Sequence, residues 1–325
     1  MRRRDFITLL GSAAAWPLAA RAQQPVKVSR IGFLGPASAS MTSGWIDALR
    51  AGLRDLGYVE GKSILFEFRW AEGKDDRLPG LVAELLRLNL DVLVTFGTPG
   101  TRAAKEATTT IPIVMAATGD AVATGLISSL ARPGGNITGQ TILDPELCAK
   151  RIELLKEALP RTKRVAILLN PDNPISWANL QAAKLTAASI SLELQQFEAR
   201  GPTEIENAFS AMANSSVDAA EVFEDAIFFA HNKTIADNAL ARRLPLIGYL
   251  DLADAGGLMA YGVNFTELFR RTAVFVDKII KGAKPGDLPV EQPTRFKLSI
   301  NLHTAKVLGL EVPPTLLARA DEVME

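Results

Sequence analysis

The sequence predicts an α/β protein of two similar lobes, each a parallel sheet with helices on both faces. Short β-branched runs alternate with amphipathic helices from residue 28 onward, which is the rhythm of βαβ units. A glycine-rich stretch at residues 118–139 interrupts the alternation, and a second set of comparable length follows it. The 325 residues suffice for two lobes that each bury a core of their own.

The first set begins with the strand VSRIGFLG at residue 28. The helix MTSGWIDALRAGLRDLGY follows, with Thr42 or Ser43 expected as its N-cap and Gly57 as its stop. Trp45 repeats with the leucines of this segment at helical spacing, so it is expected in the core. The later elements, alternately strand and helix, are SILFEFRW, DDRLPGLVAELLRLN, DVLVTFG, TRAAKEATTT and IPIVMAA.

The second set follows a tight turn at Gly134 and Gly135 and a join between the lobes near Thr138–Asp144. It opens with the helix DPELCAKRIELLKEAL. Strands and helices then alternate as TKRVAILLN, NPISWANLQAAKLTAASI, SLELQQFEA, PTEIENAFSAMANS, VDAAEVF and FAHNKTIADNALARR, before two strands at LPLIGYL and GLMAYG. A late amphipathic helix, NFTELFRRTAVFVDKIIKG, is expected to recross the join. The proline-rich segment AKPGDLPVEQPTRFKLSIN is expected as an extended crossover into a final strand.

Residues 1–22 have the plan of a cleavable export signal of the twin-arginine type. Three arginines at positions 2–4 precede an apolar stretch at residues 6–18, and cleavage is expected near Ala22. The alternative is a buried N-terminal helix. The apolar stretch is too short for a bilayer, and no later segment approaches ~20 uninterrupted apolar residues. We therefore expect an exported protein of the periplasm.

Charge and reactive residues argue against several classes of protein. The 36 basic and 36 acidic side chains cancel, whereas nucleic-acid binders usually carry a basic surplus. The single cysteine, Cys148, lies on a helix pattern that favours a small buried hydrophobe. His231 and His303 have no second ligand at metal spacing, and no phosphate-loop or nucleophile-elbow motif occurs. The sequence thus predicts no metal, no cofactor and no catalytic residue.

Ligands of parallel α/β sheets gather at the carboxyl ends of the strands, where helix N-termini meet them. The residues that follow the predicted strands offer hydroxyls, amides and carboxylates, which suit a zwitterion. Thr98 is expected to hold a carboxylate, and Asp120 or Glu224 to pair with an ammonium. The alternative for such residues is that they only cap helices. The predicted set comprises Pro36, Ser38, Gly97, Thr98, Thr118, Asp120, Asn170, Asn173, Trp177, Glu224, Asp225, Tyr249 and Tyr261.

Several long phrases resemble a known family. They include ATTTIPIVMAATGDAVATGLISSLARPGGNITG, AVFVDKIIKGAKPGDLPVEQPTRFKLSINLHTAKVLGL and PPTLLARADEVME, and they are similar to tryptophan-binding-type substrate-binding proteins of bacterial ABC importers. The resemblance implies a type I periplasmic binding fold, with two Rossmann-like lobes, a three-stranded hinge and closure around a small ligand. It implies a first lobe of residues 26–140 plus 262–288 and a second of residues 141–261 plus 289–325.

The resemblance also implies where the ligand binds. In related amino-acid binders, groups after two first-lobe strands grip the ligand carboxylate, which transfers to Gly97–Thr98 and Ala117–Thr118 here. An acid or amide of the second lobe corresponds to Glu224 or Asp225. One departure is the segment AAEVFEDAIFF, which places Glu221 inside a strand that is usually unbroken and apolar.

The leading functional hypothesis is a monomeric solute receptor that captures a small ligand and delivers it to an ABC permease in the inner membrane. The expected ligand is an amino acid, with aromatic amino acids among the candidates, or a related small carboxylate. Two alternatives stay open: an exported enzyme that uses carboxylates on a small polar substrate, and a sensor-type binding protein. A transcription regulator is disfavoured, since an export signal stands where a helix-turn-helix would be.

Overall fold

Two β-sheets organise the structure, a computed structural model that describes residues 28–325. The predicted export signal, residues 1–22, lies outside the described residues. Each sheet forms the centre of one lobe, and helices cover both faces. The predicted two-lobed α/β architecture is confirmed. Within residues 28–325, no helix combines the length and the apolar character needed to cross a membrane.

The first lobe contains a five-stranded, wholly parallel sheet of order β2-β1-β3-β4-β5. Its strands are β1 (Ser29–Gly35), β2 (Ile64–Trp70), β3 (Val92–Phe96), β4 (Ile113–Gly119) and β5 (Ile137–Ile142). Its helices are α1 (Ala39–Asp55), α2 (Leu78–Leu86) and α3 (Thr98–Ala107). Strands β3 and β4 are buried along their whole length, as expected for central strands covered on both faces.

The second lobe contains a seven-stranded sheet of order β12-β11-β10-β9-β8-β6-β7, in which only the β10–β11 pair is antiparallel. Its strands are β6 (Arg164–Leu169), β7 (Glu193–Glu198), β8 (Ala219–Val222), β9 (Leu246–Gly248), β10 (Met259–Gly262), β11 (Lys297–Asn301) and β12 (Glu322–Met324). The helices from here on are α4 (Asp144–Ala158), α5 (Ser176–Ser189), α6 (Pro202–Asn214), α7 (Ala226–Ala230), α8 (Asn232–Ala241), α9 (Leu250–Asp254), α10 (Phe265–Ile280), α11 (Leu302–Leu308) and α12 (Pro314–Leu317).

The chain passes between the two sheets three times. It leaves the first sheet after β5 and returns after β10, where α10 packs along α1. Residues 288–291 then run beside β5, with the Glu291 N–H donating to the Gly139 carbonyl at 2.9 Å, before the chain reaches β11. Gly134 and Gly135, both with positive φ, form the predicted tight turn next to this segment. The residue numbers at which the lobes were predicted to divide stay a prediction.

The start of α1 differs from the sequence-based expectation. The helix begins at Ala39, and its cap is Ser38, whose hydroxyl accepts from the Met41 N–H at 3.3 Å. Thr42 and Ser43 lie inside the first turns and do not cap, so that prediction is wrong. The Thr42 hydroxyl donates to the Ser38 carbonyl instead. This segment contains several polar residues. The helix begins after the first of them whose side chain can accept a hydrogen bond from a free N–H of the first turn.

Candidate functional site

A small cavity lies between the lobes, where the carboxyl ends of both sheets meet. Its volume is about 40 Å³, little more than the space of one water molecule. The first lobe contributes Pro36, Phe96, Gly97, Thr98, Pro99, Ala117 and Gly119, and the other lining residues are Ile142, Asp144, Asn173, Ile175, Glu224, Asp225, Ala226, Phe229 and Phe265. Seven of the predicted residues line it: Pro36, Gly97, Thr98, Ala117, Asn173, Glu224 and Asp225.

Thr98 opens helix α3 on the first-lobe wall. Gly97 has a φ of 75°, which lets the chain turn sharply from the end of β3 into the helix. Unsatisfied N–H groups give the start of a helix a partial positive charge. Thr98 is 2 % exposed, and its hydroxyl has no hydrogen-bond partner among residues 28–325. The wall therefore offers a buried hydroxyl and a positive helix end.

Asp225 lies opposite, on the second-lobe wall. One of its carboxylate oxygens accepts from the Ile227 N–H at 2.8 Å and so caps α7. The other accepts from the Asn173 amide at 2.9 Å and the Asn170 amide at 3.2 Å. Burial raises the pKa of Asp225, while these three donors oppose the rise. Asn170 does not line the cavity, but its hydrogen bond helps to fix Asp225, which does.

Glu224 is paired with Arg151, a fully buried cation that follows no strand. The Arg151 guanidinium donates to the Glu224 carboxylate at 2.6 Å and to the Tyr261 carbonyl at 2.7 Å. Arg151 is 1 % exposed and Glu224 8 %. Glu224 in turn faces Asp144, whose pKa is raised well above its ordinary value by burial and by the Glu224 charge. Removing one partner of a buried ion pair is strongly destabilising, because it leaves the other charge uncompensated.

The lobes are in contact beside Gly119, the last residue of β4. A β-carbon at this position would lie 2.6 Å from Asp144 Oδ2, 3.0 Å from Ile175 Cγ1 and 3.1 Å from Thr98 Oγ1. Atoms of both walls therefore converge on this glycine. Asp144 also has one carboxyl oxygen that is buried without a partner in the described chain. Two residues that line the cavity, Thr98 and Asp144, thus each have a buried oxygen without a partner in the described chain.

Aromatic rings close the cavity on its other side. The ring centroids of Phe96 and Phe265 are 5.7 Å apart, and those of Phe229 and Phe265 are 5.3 Å apart. Behind them, Trp45 of α1 meets the edge of Phe229 of α7 at 5.6 Å, so ring contacts join the two lobes. Tyr249 packs against Phe229 at 4.2 Å. Contacts of this kind add stabilisation beyond the area they bury.

The other predicted site residues lie outside the cavity. The Thr118 hydroxyl is within 3.0 Å of the Thr101 hydroxyl, in the interior of the first lobe. Asp120 accepts from the N–H groups of Val122 and Ala123, at 3.0 and 2.9 Å, and so caps a turn. Ser38 caps α1. The part of these residues in ligand binding stays a prediction.

Three aromatic candidates of the second lobe also point elsewhere. Trp177 is 46 % exposed, and its indole N–H donates to the Pro171 carbonyl at 3.2 Å. The Tyr249 hydroxyl is 2.6 Å from the Asn232 amide oxygen. The ring of Tyr261 is tilted against that of Phe296, with the ring centroids 6.0 Å apart. None of the three lines the cavity.

Sequence reasoning expected Gly119 at the cleft together with Thr118 and Asp120, but it missed eight lining residues: Phe96, Pro99, Ile142, Asp144, Ile175, Ala226, Phe229 and Phe265. Asp144 was expected only as the start of a helix after the join, and nothing in the sequence shows that a strand ends two residues before it. Phe96 carries a usable signal, because it directly precedes the strand-end glycine Gly97. The expectation that Cys148 is a buried hydrophobe is confirmed at 1 % exposure.

The comparison with protein families decides what kind of protein carries this cleft. The model for ABC transporter substrate binding proteins matches residues 32–324. The chain belongs to this family of ABC transporter substrate-binding proteins. The family resemblance inferred from the sequence is therefore confirmed.

Relatives of this substrate-binding protein agree with that membership. A tyrosine-binding protein of Clostridioides difficile is 25% identical over 260 residues, which are 80% of this chain and 74% of that one. An ABC domain of Streptococcus pneumoniae, solved in complex with L-Trp, has a TM-score of 0.86 at 26% identity, over 92% of this chain and 100% of that one. A conserved domain protein of Vibrio cholerae has a TM-score of 0.87 at 28% identity, over 91% and 100%. The type I periplasmic binding fold is confirmed.

Proposed function

We propose that this substrate-binding protein is the periplasmic receptor of an ABC importer and that it captures an amino acid with an aromatic side chain in the interlobe cleft. The observation that carries the proposal is the buried, partnerless hydroxyl of Thr98 at the start of α3, facing a wall of buried carboxylates. The two walls have opposite electrostatic character, as the two ends of a zwitterion require. The bound form is then handed to a permease in the inner membrane.

The ligand carboxylate is assigned to the first-lobe wall. A carboxylate accepts hydrogen bonds only, and Thr98 offers a hydroxyl that is free to donate. The positive end of the ten-residue helix α3 adds a favourable field. Gly97 has no side chain and lines the cavity, so the ligand can approach the backbone closely at the start of α3.

The ligand ammonium is assigned to the second-lobe wall, at Glu224 and Asp225. Asp225 is already fixed by three donors and Glu224 by Arg151. Carboxylates held in this way do not have to reorganise when an ammonium arrives, which limits the cost of binding. Arg151 neutralises only one of the acids, so a positive ligand group meets a net negative wall.

The aromatic wall supports a ring-bearing ligand. Phe96, Phe229 and Phe265 supply faces and edges against which an aromatic side chain packs. The relatives described as tyrosine-binding and as an L-Trp complex bind ligands of that class. A cavity of about 40 Å³ is far too small for such a side chain. The lobes must therefore separate to admit the ligand and close around it, which is the hinge motion by which a two-lobed receptor signals occupancy.

Thermal unfolding of the purified protein with candidate ligands tests this proposal. L-tryptophan and L-tyrosine at ~100 times their dissociation constants are expected to stabilise it by ~2.7 kcal/mol. Indole-3-propionate lacks the ammonium and tryptamine lacks the carboxylate, so both should bind more weakly than L-tryptophan. Equal binding of all three indoles would show that the ligand ends are not recognised. Turnover of a ligand without stabilisation would favour the enzyme alternative.

Thr98→Val tests the part of the hydroxyl in binding without a change of fold. The variant keeps the shape of the side chain, so affinity for the amino acid should fall by about 1–3 kcal/mol while the ligand-free protein stays as stable or gains stability. Thr109→Val, at an exposed threonine beyond α3, is the matched control and should change neither quantity. Unchanged affinity in Thr98→Val, measured by calorimetry, would remove Thr98 from the site.

A further inference from the structure

A second pocket lies beside the main cleft, behind the aromatic wall. Its volume is about 190 Å³, and Phe265 lines both this pocket and the first cavity. Trp45 belongs to the first lobe, whereas most of the other walls belong to the second. The lining residues are Trp45, Leu250, Asp251, Asp254, Val263, Asn264, Phe265, Thr266, Lys297, Ser299 and Glu322.

The strand register places three polar side chains on one face of the second sheet. Ser299 of β11 is directly opposite Glu322 of β12, so their side chains share a face. Lys297, two residues before Ser299, points to the same face. Helix α9 covers that face, since the Asn301 amide, two residues further along, donates to the Ala253 carbonyl of α9 at 3.2 Å. The pocket is the gap between α9 and these strands.

Ser299 is the unusual member of this set. It is 3 % exposed, and no residue of the described chain forms a hydrogen bond with its hydroxyl. Buried hydroxyls are nearly always paired, because an unmade hydrogen bond leaves the desolvation cost uncompensated. The nearest open volume is the pocket that Ser299 lines. Ser299 therefore brings a buried hydroxyl without a partner to the wall of that pocket.

The pocket carries an excess of negative charge. Asp251 and Asp254 of α9 face Glu322 across it, and Lys297 is the one cation among the lining residues. Burial raises the pKa of Asp251 to about 6, and burial together with the Glu322 charge raises the pKa of Asp254. Both acids are thus held in a partly dry environment without a matching number of cations. Such an arrangement is stabilised by an incoming positive charge.

The spacing of these acids favours an organic cation over a metal ion. Within residues 28–325, no three carboxylates, histidines or cysteines come close enough together to hold a metal. An aliphatic ammonium instead donates several separate hydrogen bonds, and a diamine places its two charges apart. The pocket volume of about 190 Å³ leaves room for a short aliphatic diamine.

We propose that this pocket is a second binding site, specific for a small aliphatic amine or diamine. One ammonium donates to the Ser299 hydroxyl, and Asp251, Asp254 and Glu322 supply the compensating charge. The site is separate from the amino-acid site, and it stands whether or not the proposed function is right.

Titration calorimetry of the purified protein with putrescine at neutral pH and low salt tests this site. Saturable binding of one diamine per chain is expected. Asp251→Asn and Asp254→Asn should each weaken it by about tenfold, equivalent to ~1.4 kcal/mol. Glu206→Gln removes an exposed acid of α6 and is the matched control for charge, so it should leave binding unchanged. If the control weakened putrescine binding equally, the diamine would be attracted only by the overall negative charge of the protein, and the proposed site would be overturned.

Ser299→Ala distinguishes a role in binding from a structural role, because the two roles predict different changes in melting temperature and in putrescine binding. Removing an unpaired buried hydroxyl should leave the melting temperature unchanged or raise it, while the stabilisation by putrescine falls. Lower stability with unchanged putrescine binding would overturn the assignment of Ser299. Magnesium chloride is titrated in parallel. A response to magnesium equal to that with putrescine would overturn the assignment to an organic cation, and no response to putrescine would overturn the site altogether.

Discussion

Glu221 shows how the second lobe accommodates a carboxyl group in its core. It lies on β8, is fully buried, and neither of its oxygens has a hydrogen-bond partner among the described residues. Burial raises its pKa to about 8, against the opposing charge of Arg151. The departure from an apolar strand seen in the sequence is therefore a carboxyl group that is neutral over most of the physiological range. It does not line the cavity.

Glu221→Gln tests this protonation state through the pH dependence of stability. The Glu221 pKa rises from its ordinary 4.5 to about 8, so between these values the folded protein holds a proton that the unfolded chain has lost. Its contribution to the unfolding free energy therefore falls as the pH rises through this window, by up to ~1.4 kcal/mol per pH unit. Urea unfolding at several pH values should show a shallower decline in Glu221→Gln. The same slope in variant and wild type would contradict the assignment.

For single residues, the sequence predicts the position along the sheet edge but not the direction of the side chain. Thr98, Glu224 and Asp225 were predicted at the cleft because they follow strands, and the structure places all three in the cavity wall. Thr118 is the last residue but one of β4 and Asp120 follows that strand, yet the Thr118 side chain turns into the lobe and the Asp120 side chain caps a local turn. Strand order alone gives the edge on which a residue lies. The direction of its side chain depends on packing that the sequence does not display.

At the scale of elements, the end of β4 decides how closely the lobes approach. Gly119 stands where Thr98 of α3, Asp144 of α4 and Ile175 come together. Its φ is not positive, so alanine suits its backbone conformation. The requirement for glycine here is thus one of space between lobes.

Gly119→Ala should hold the lobes apart. Its β-carbon would lie 2.6 Å from Asp144 Oδ2 and 3.0 Å from Ile175 Cγ1, and separation of the lobes relieves both of these contacts. We expect a larger radius of gyration in small-angle scattering and at least about tenfold weaker ligand binding, equivalent to ~1.4 kcal/mol. Gly100→Ala is the control, because its β-carbon would meet nothing nearer than 3.9 Å. A radius and affinity equal to wild type would show that closure does not depend on this contact.

Elements with strong periodicity were predicted well, and short ones were not. The long helices and buried strands of both sets were recognised because their patterns extend over several turns or a whole strand. The sequence predicts only a join where strand β5 lies, because residues Ile137–Ile142 include glycine, threonine and glutamine and do not form an apolar run. It pairs in parallel with β4, and the side-chain amide of Gln140 donates to the Ala116 carbonyl of that strand at 3.0 Å. The five-residue helices α7 and α9 are likewise determined by their tertiary surroundings.

At the scale of the molecule, three crossings connect the two sheets, and one buried apolar cluster contains residues of both lobes. The Gln140 amide also donates to the Leu268 carbonyl at 2.8 Å, which fastens the first crossing to α10, the helix after the second. The Thr138 hydroxyl donates to the Leu288 carbonyl at 2.9 Å and fastens the start of the third. Family membership predicts such a join, but the distance between the lobes does not follow from any local pattern. It is set by side chains that meet only when the chain is folded.

The edge contact between Trp45 and Phe229 gives the protein a built-in optical reporter. Trp45 is 6 % exposed and belongs to the first lobe, while Phe229 belongs to the second. Any movement that parts the lobes brings water to the indole, so its fluorescence should shift to longer wavelengths; a ligand that closes the cleft should reverse the shift. Titration with L-tyrosine, excited where only indoles absorb, measures this directly. Trp70→Phe should keep the response and Trp45→Phe should abolish it, so opening could be timed in the unlabelled protein.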